Sequence, residues 1–139
     1  MRTRSSWWLP LAALGLATQV HAQTPVPPPQ DAAYPGTIIL DVDATDLDHR
    51  VFRVRERIPV APGPQVLMFP RWLPGTHGPT GEIDRLAGIQ IRSPAGAVIA
   101  WQRDAIDPFA LRVQVPSDVS TIDVELQHLS PLDSHAGRV

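Results

Sequence analysis

The segment from Phe69 to Arg85 holds the residues of this sequence that are best suited to chemistry. Trp72 offers a large flat contact surface, and His77 can titrate or bind a metal ion. Glu82 and Asp84 can receive a cation. Three prolines and three glycines predict that this segment is a long loop, and loops held on a rigid scaffold are where binding sites tend to lie.

The same loop also fits a purely structural role. In that interpretation Trp72 plugs the edge of the fold, and Pro74-Gly75 does no more than shape a turn. Residue types alone leave both interpretations open.

A second group of acidic residues precedes this loop. An oxygen-rich calcium site needs several carboxylates on one ion, and the spacing here resembles the start of an EF-hand, but its sharp-turn glycine and final glutamate are missing. We therefore expect the first two carboxylates to face solvent from a strand and the next two to lie in a turn. The group comprises Asp41, Asp43, Asp46 and Asp48, next to His49.

Other catalytic signatures are absent from the sequence. No histidine is followed by glutamate, so the HExxH zinc motif is missing, and no serine lies in a nucleophile elbow. His128 continues the apolar face of a strand and is expected to be a partly buried structural histidine. The net charge of −2 and the lack of a basic stripe argue against a nucleic-acid partner.

The apolar residues that must position the loop recur at every second position, as in half-buried strands. Phe52, Val54 and Ile58 alternate with three arginines, which we expect to stand in a row on the solvated face. Each run is short and is bounded by Pro, Gly, Asp or Ser. The pattern predicts an all-β fold, an antiparallel β-sandwich of about seven strands. The other predicted strands lie near 37–42, 66–69, 86–92, 97–103, 109–115 and 122–126.

The N-terminus has the layout of a secretory signal peptide. Arg2 and Arg4 precede an apolar run from Leu9 to Val20, and cleavage is expected after Ala22. The run is short for a membrane span, so no stable membrane anchor is expected. The sequence thus predicts a signal peptide over 1–22, a Pro-rich linker over 23–35 that acts as a tether, and a domain over 36–139. The mature protein is expected in the periplasm or secreted.

The C-terminus suggests that the domain is incomplete. Residues 129–134 read as a loop, and Gly137-Arg138-Val139 resembles the first step of another strand. We therefore expect the chain to be a truncated part of a longer protein. If one sheet face packs against a missing domain, the isolated chain should expose an apolar patch.

Several motifs resemble the N-terminal domain of the glycyl aminopeptidase family, exported zinc metallopeptidases of the gluzincin type that often carry a PDZ domain. The most specific is Pro70–Gly81, which is similar to the Trp-x-Pro-Gly loop of the family branch with a histidine after the glycine. Residues 34–38, 42–56, Trp101–Asp104 and Leu129–Pro131 extend the likeness over nearly all of 34–139.

The resemblance implies a division of labour. The zinc ligands and the general base lie in a later catalytic domain of the same polypeptide, and this β domain packs on it and helps to shape the cleft for a peptide substrate. The substrate class would be peptides with small N-terminal residues such as glycine. In that arrangement Glu82 and Asp84 are candidates to hold the free α-ammonium group, with Trp72 as a wall and His77 as a further substrate-binding residue.

Two functions therefore stand side by side. The first is the non-catalytic N-terminal domain of an exported zinc aminopeptidase, inactive as this chain. The second is a free-standing secreted β-sandwich that binds a ligand or a partner protein through Trp72 and its loop. Composition and periodicity do not separate them; only the motifs favour the first.

Overall fold

The computed structural model describes residues 24–28 and 30–131. The predicted signal peptide and the predicted strand start at Gly137–Val139 lie outside the described residues. Seven strands and one short 3₁₀ turn follow each other along the described chain. They are β1 (Ile39–Asp46), β2 (Val51–Pro59), β3 (Gly63–Met68), the 3₁₀ turn (Ile83–Arg85), β4 (Leu86–Arg92), β5 (Trp101–Arg103), β6 (Ala110–Val115) and β7 (Thr121–Leu129).

The strands form two antiparallel sheets. One has four strands in the order β1-β2-β7-β4, and the other has three in the order β3-β6-β5. The prediction of an all-β sandwich of about seven strands is confirmed. The alternation of apolar and polar residues required this outcome, because each strand carries one face that must be covered by a second layer.

The core lies between the two sheets. Ile91 and Ile122 are fully buried there, and they come from the adjacent strands β4 and β7. Val115 of β6 is the third fully buried side chain and belongs to the opposite sheet. The remaining buried members of this cluster are Ile58, Ile99, Val113, Val119 and Val124.

The predicted strand over 97–103 is shorter than expected. Val98 bridges to Arg92 of the four-stranded sheet, whereas Trp101 pairs with Val113 of the three-stranded sheet. The segment crosses from one sheet to the other, so only Trp101–Arg103 forms a ladder. β4, in contrast, has the bounds that the sequence predicted.

The outer face of the four-stranded sheet carries the predicted row of arginines. Each arginine meets a carboxylate of a neighbouring strand or turn: Arg53 with Asp46 at 2.9 Å, Arg55 with Glu125, and Arg57 with Asp123 at 2.9 Å. The three arginines are exposed, so these pairs contribute little to the stability of the fold.

The Pro-rich segment forms neither helix nor strand where it is described. Its two ends nevertheless touch the sandwich. The Arg112 guanidinium of β6 donates to the Thr24 carbonyl, and the Tyr34 hydroxyl donates to the Pro59 carbonyl at the end of β2. The segment therefore lies along the fold, which a pure tether does not require.

The core position of Ile122 makes a direct test possible. Ile122→Ala should lower the free energy of unfolding by about 2–5 kcal/mol, because it removes buried methyl groups and leaves a cavity. Ile106→Ala is the matched control, since Ile106 is 88% exposed and its truncation should change little. Urea denaturation of the two variants measures the difference, and equal effects would contradict this core.

Candidate functional site

The loop that the sequence singled out leaves the sandwich after β3 and returns at the 3₁₀ turn. We call residues 70–82 the Trp72 loop. Its base is closed by a hydrogen bond from the Gly81 amide to the Arg71 carbonyl, 2.9 Å long. Just before it, the Phe69 amide donates to the Phe109 carbonyl at 2.8 Å, which fixes the loop start to the chain entering β6.

Gly81 is required where the two ends of the loop meet. A Cβ atom at this position would lie 2.1 Å from the Pro70 carbonyl oxygen and 3.0 Å from Cε1 of the Phe109 ring. The Pro70 oxygen is a backbone atom, and Cα of Arg71, at 3.2 Å from the same position, is another. Only a residue without a side chain permits this close approach.

Arg71 fastens the base of the loop to the turn before β6. Its Nη2 lies 2.6 Å from Oδ2 of Asp107, and its guanidinium carbon lies 5.1 Å from the centroid of the Phe109 ring. An ion pair and a cation–π contact thus act on one side chain. Arg71 lies within the Pro70–Gly81 motif, but the sequence alone indicates no role for it, because its partners are more than 30 residues away.

Residues 72–77, which we call the arm of the Trp72 loop, contain the turn that the structural interpretation required. Gly75 has φ of 84°, and the Thr76 amide donates to the Leu73 carbonyl at 3.1 Å. Proline followed by a glycine at positive φ is the pattern of a type II turn. The hydroxyl of Thr76 lies 2.7 Å from the same carbonyl oxygen and further stabilises the turn.

The arm presents two of the four predicted site residues to solvent. Trp72 is 61% exposed, and His77 is also exposed. Trp72 therefore does not plug the edge of the fold within the described structure. Among the described residues, no hydrogen bond or ion pair joins Trp72 or His77 to Glu82 or Asp84.

The two predicted carboxylates differ in their surroundings. Glu82 is half-buried, with Oε1 at 2.7 Å from Nη1 of Arg85 and Oε2 at 3.7 Å from Nε2 of His128. Asp84 is exposed on the 3₁₀ turn two residues later. Glu82 is therefore already paired with a cation, and Asp84 is the carboxylate more accessible to an external one.

His128 has the structural position that the sequence predicted. Its side chain is half-buried on β7, and its ring stacks on Phe52 with the centroids 6.2 Å apart. Its contact with Glu82 connects the end of the Trp72 loop to the inner face of the four-stranded sheet.

Asp104 is a buried carboxylate in the turn that anchors Arg71. Its Oδ1 accepts hydrogen bonds from the Asp107 amide at 2.9 Å and the Ile106 amide at 2.8 Å, and its Oδ2 lies 2.6 Å from Nε of Arg112. The two amides, and then Arg112, hold the pKa of Asp104 below its ordinary value. Asp104 therefore shapes the turn that precedes β6.

Two carboxylates of the acidic group at 41–49, Asp43 and Asp46, bond to neighbouring residues of the strand and turn. Oδ1 of Asp43 accepts from the Thr45 hydroxyl at 2.7 Å and the Thr45 amide at 2.9 Å, and these bonds lower the pKa of Asp43. Hydrogen bonds from His49 and then Arg53 lower the pKa of Asp46. Within residues 24–28 and 30–131, no three His, Cys, Asp or Glu side chains converge as a metal site. The calcium interpretation therefore has no support.

The amino-acid sequence matches a known family of protein domains over most of its length. The model of the peptidase M61 N-terminal domain matches residues 39–137. The chain belongs to this family. The resemblance drawn from the Trp72 loop and its flanking motifs is thereby confirmed, and the M61 domain can be compared with solved structures.

The M61 domain is similar in fold to a crystal structure of an aminopeptidase N family protein from Idiomarina loihiensis. The TM-score is 0.60 and the identity is 19%, over 70% of this chain and 16% of that chain. The chain thus spans about a sixth of the length of the protein it matches. No curated protein sequence matches it. In the described part of the chain, no helix is long and apolar enough to cross a membrane.

The close approach at Gly81 predicts a specific sensitivity. Gly81→Ala should lower the free energy of unfolding by about 1–3 kcal/mol, because the new methyl group collides with backbone that cannot move freely. Gly78→Ala is the control, since its nearest neighbour would be the Thr80 methyl at 3.9 Å. Denaturant titration compares the two, and a neutral Gly81→Ala would show that the loop base is open.

The lowered pKa of Asp104 gives stability a defined pH dependence. The ionised carboxylate stabilises the fold above its unfolded-state pKa, and this contribution is lost as the pH falls through the lower folded-state pKa. The deficit of Asp104→Asn relative to the wild type should therefore be largest at neutral pH and shrink below about pH 4. Urea denaturation at pH 7 and pH 3 tests this, with the exposed Asp118→Asn as control. A deficit independent of pH would contradict it.

Proposed function

We propose that this chain is the non-catalytic N-terminal β domain of an exported zinc aminopeptidase that acts on peptides with small N-terminal residues such as glycine. The match of residues 39–137 to the peptidase M61 N-terminal domain carries the proposal. In the complete enzyme the domain packs on the catalytic domain of the same polypeptide and contributes the Trp72 loop to the rim of the substrate cleft.

The chemistry of peptide hydrolysis is assigned to polypeptide outside this chain. The described residues do not fit zinc, because they bring no three suitable ligands together. The catalytic domain would hold the zinc ion, and no step of the reaction is placed on the residues described here.

The Trp72 loop and the 3₁₀ turn that follows it have the properties of a contact for the substrate's amino terminus. An exposed carboxylate beside a peptide cleft binds an α-ammonium group by charge-assisted hydrogen bonds. Asp84 is accessible for that role, whereas Glu82 would have to share its charge with Arg85. Trp72 and His77 provide an exposed aromatic surface for the adjacent part of the peptide.

Export is proposed from the signal layout at residues 1–22, with a periplasmic or secreted destination. N-terminal sequencing of the mature protein would identify the cleavage site. A mature protein that still begins at Met1 would contradict export by this route.

The substrate role is tested in the complete peptidase with glycyl peptides. Asp84→Asn should raise KM about tenfold or more, since a charge-assisted hydrogen bond contributes roughly 1.5–3 kcal/mol. Glu82→Gln should have a smaller effect, because Arg85 already pairs with that carboxylate. Asp118→Asn is the control, and N-acetylated peptides serve as the comparison substrate.

Two outcomes would separate the parts of this proposal. Unchanged kinetics in both the Asp84 and the Glu82 variants would remove the ammonium-binding role. Failure of the complete, zinc-loaded protein to cleave any peptide with a free amino terminus would remove the aminopeptidase function itself.

A further inference from the structure

The three-stranded sheet covers the inner face of the four-stranded sheet at β7 and β4 but leaves β1 uncovered. Val124 on β7, Glu56 on β2 and Leu40 on β1 stand opposite one another in the strand register and so project from the same face. Along this row the side chains go from buried at Val124, through half-buried at Glu56, to 58% exposed at Leu40. The second sheet therefore buries β7 but no longer buries β1.

The neighbouring row repeats the gradient. Leu126 on β7 packs against the core, Val54 on β2 is half-buried, and Val42 on β1 is 54% exposed. No residue of β1 belongs to the core cluster of the described chain. We call the surface formed by Leu40, Val42, Val54, Glu56 and Leu126 the β1–β2 face.

Glu56 is the unusual member of this face. Its neighbours on β2, Arg55 and Arg57, project to the opposite side, where Glu125 and Asp123 occupy them. Among the described residues, no hydrogen bond or ion pair engages the Glu56 carboxylate, and partial burial raises its pKa. A carboxylate that loses further water needs a cation or donors opposite it.

The chain also leaves the sandwich next to this face. Nη1 of Arg50, in the turn between β1 and β2, lies 2.8 Å from the Pro131 carbonyl oxygen, and the Ser130 amide donates to the Arg50 carbonyl at 2.9 Å. Whatever polypeptide follows residue 131 therefore starts at the β1–β2 end of the sheet.

We propose that the β1–β2 face is the docking surface for the polypeptide that follows this domain in the complete peptidase, and that the docked surface is apolar with one arginine or lysine opposite Glu56. This inference rests on the proposed function and adds to it the surface and the chemistry of the contact. The family model that matches residues 39–137 is that of an N-terminal domain of a peptidase, which implies that further polypeptide follows it in the complete protein.

A second copy of the chain is a poorer occupant. Two copies related by a two-fold axis through this face would place the two unpaired Glu56 carboxylates near each other. Like charges opposed across an interface disfavour association. The negative charge of Glu56 therefore favours a partner that carries a positive charge at this position.

The absence of cysteine from the 139 residues allows a direct measurement. Val42→Cys places a thiol on the β1–β2 face, and Gln127→Cys places one on the exposed outer face of β7 as the matched control. Thiol labelling at each position is followed by peptide mass spectrometry in the 139-residue chain and in the complete gene product. We expect Val42→Cys to react about tenfold more slowly in the complete protein, and Gln127→Cys to react equally in both.

The ionic part of the contact is tested by charge reversal. Glu56→Lys, added to Val42→Cys in the complete protein, should restore fast labelling, whereas Asp118→Lys should not. Glu56→Gln should restore it in part. If Glu56→Lys leaves Val42→Cys protected, the cationic partner is wrong.

The remaining outcomes are equally decisive. Equal labelling of Val42→Cys in both proteins would overturn the docking surface, even if the complete protein cleaves glycyl peptides. Slow labelling already in the 139-residue chain would assign the face to residues 132–139 or, if size-exclusion chromatography shows a dimer, to a second copy. Protection in a complete protein without peptidase activity would retain the docking surface and remove the proposed function.

Discussion

The contact between the inner faces of β7 and β6 is the interaction on which the rest of this structure depends. Ile122 and Val124 on one side and Val113 and Val115 on the other are buried in the same cluster. Each fully buried aliphatic side chain contributes roughly 1.5–3 kcal/mol, and in this small domain such contacts must offset the ordering of all seven strands. β7 is also one of the two interior strands of its sheet and pairs directly with β2 and β4.

The anchoring of the Trp72 loop follows from this packing. β6 is fixed by the core, and the turn that precedes it carries Asp104, Asp107 and Phe109. Asp104 shapes the turn through two backbone amides, while Asp107 and Phe109 hold Arg71 at the loop base. The loop base is thus held against the sheet by the contacts of Arg71 with Asp107 and Phe109. The arm with Trp72 remains exposed. That division suits a binding loop, which needs a rigid base and an accessible arm.

The sequence was sufficient for features that depend on neighbours along the chain. The two-residue period predicts Ile122, Val124 and Leu126 on one face, and Pro74-Gly75 predicts a turn; the structure has both. Contacts between distant segments were not predictable in the same way. The ion pair of Arg71 with Asp107, the contact of Glu82 with His128, and the crossing of residues 97–100 between sheets depend on how distant segments are brought together. The spacing of residues along the chain carries no information on which distant segments meet.

Glu56 shows why a local departure from the pattern is informative. It occupies a position where the alternation of β2 calls for an apolar side chain, between Val54 and Ile58. Within the described structure the departure is tolerated, because water still reaches the carboxylate at the margin of the core. Edge strands with exposed apolar residues also favour unwanted pairing, and β1 counters this with Asp41 and Asp43 on its outer face. Its inner face has only Glu56 beside it, a charge that excludes a purely apolar partner and admits one that supplies a cation. The same residue thus limits non-specific association and selects a specific contact.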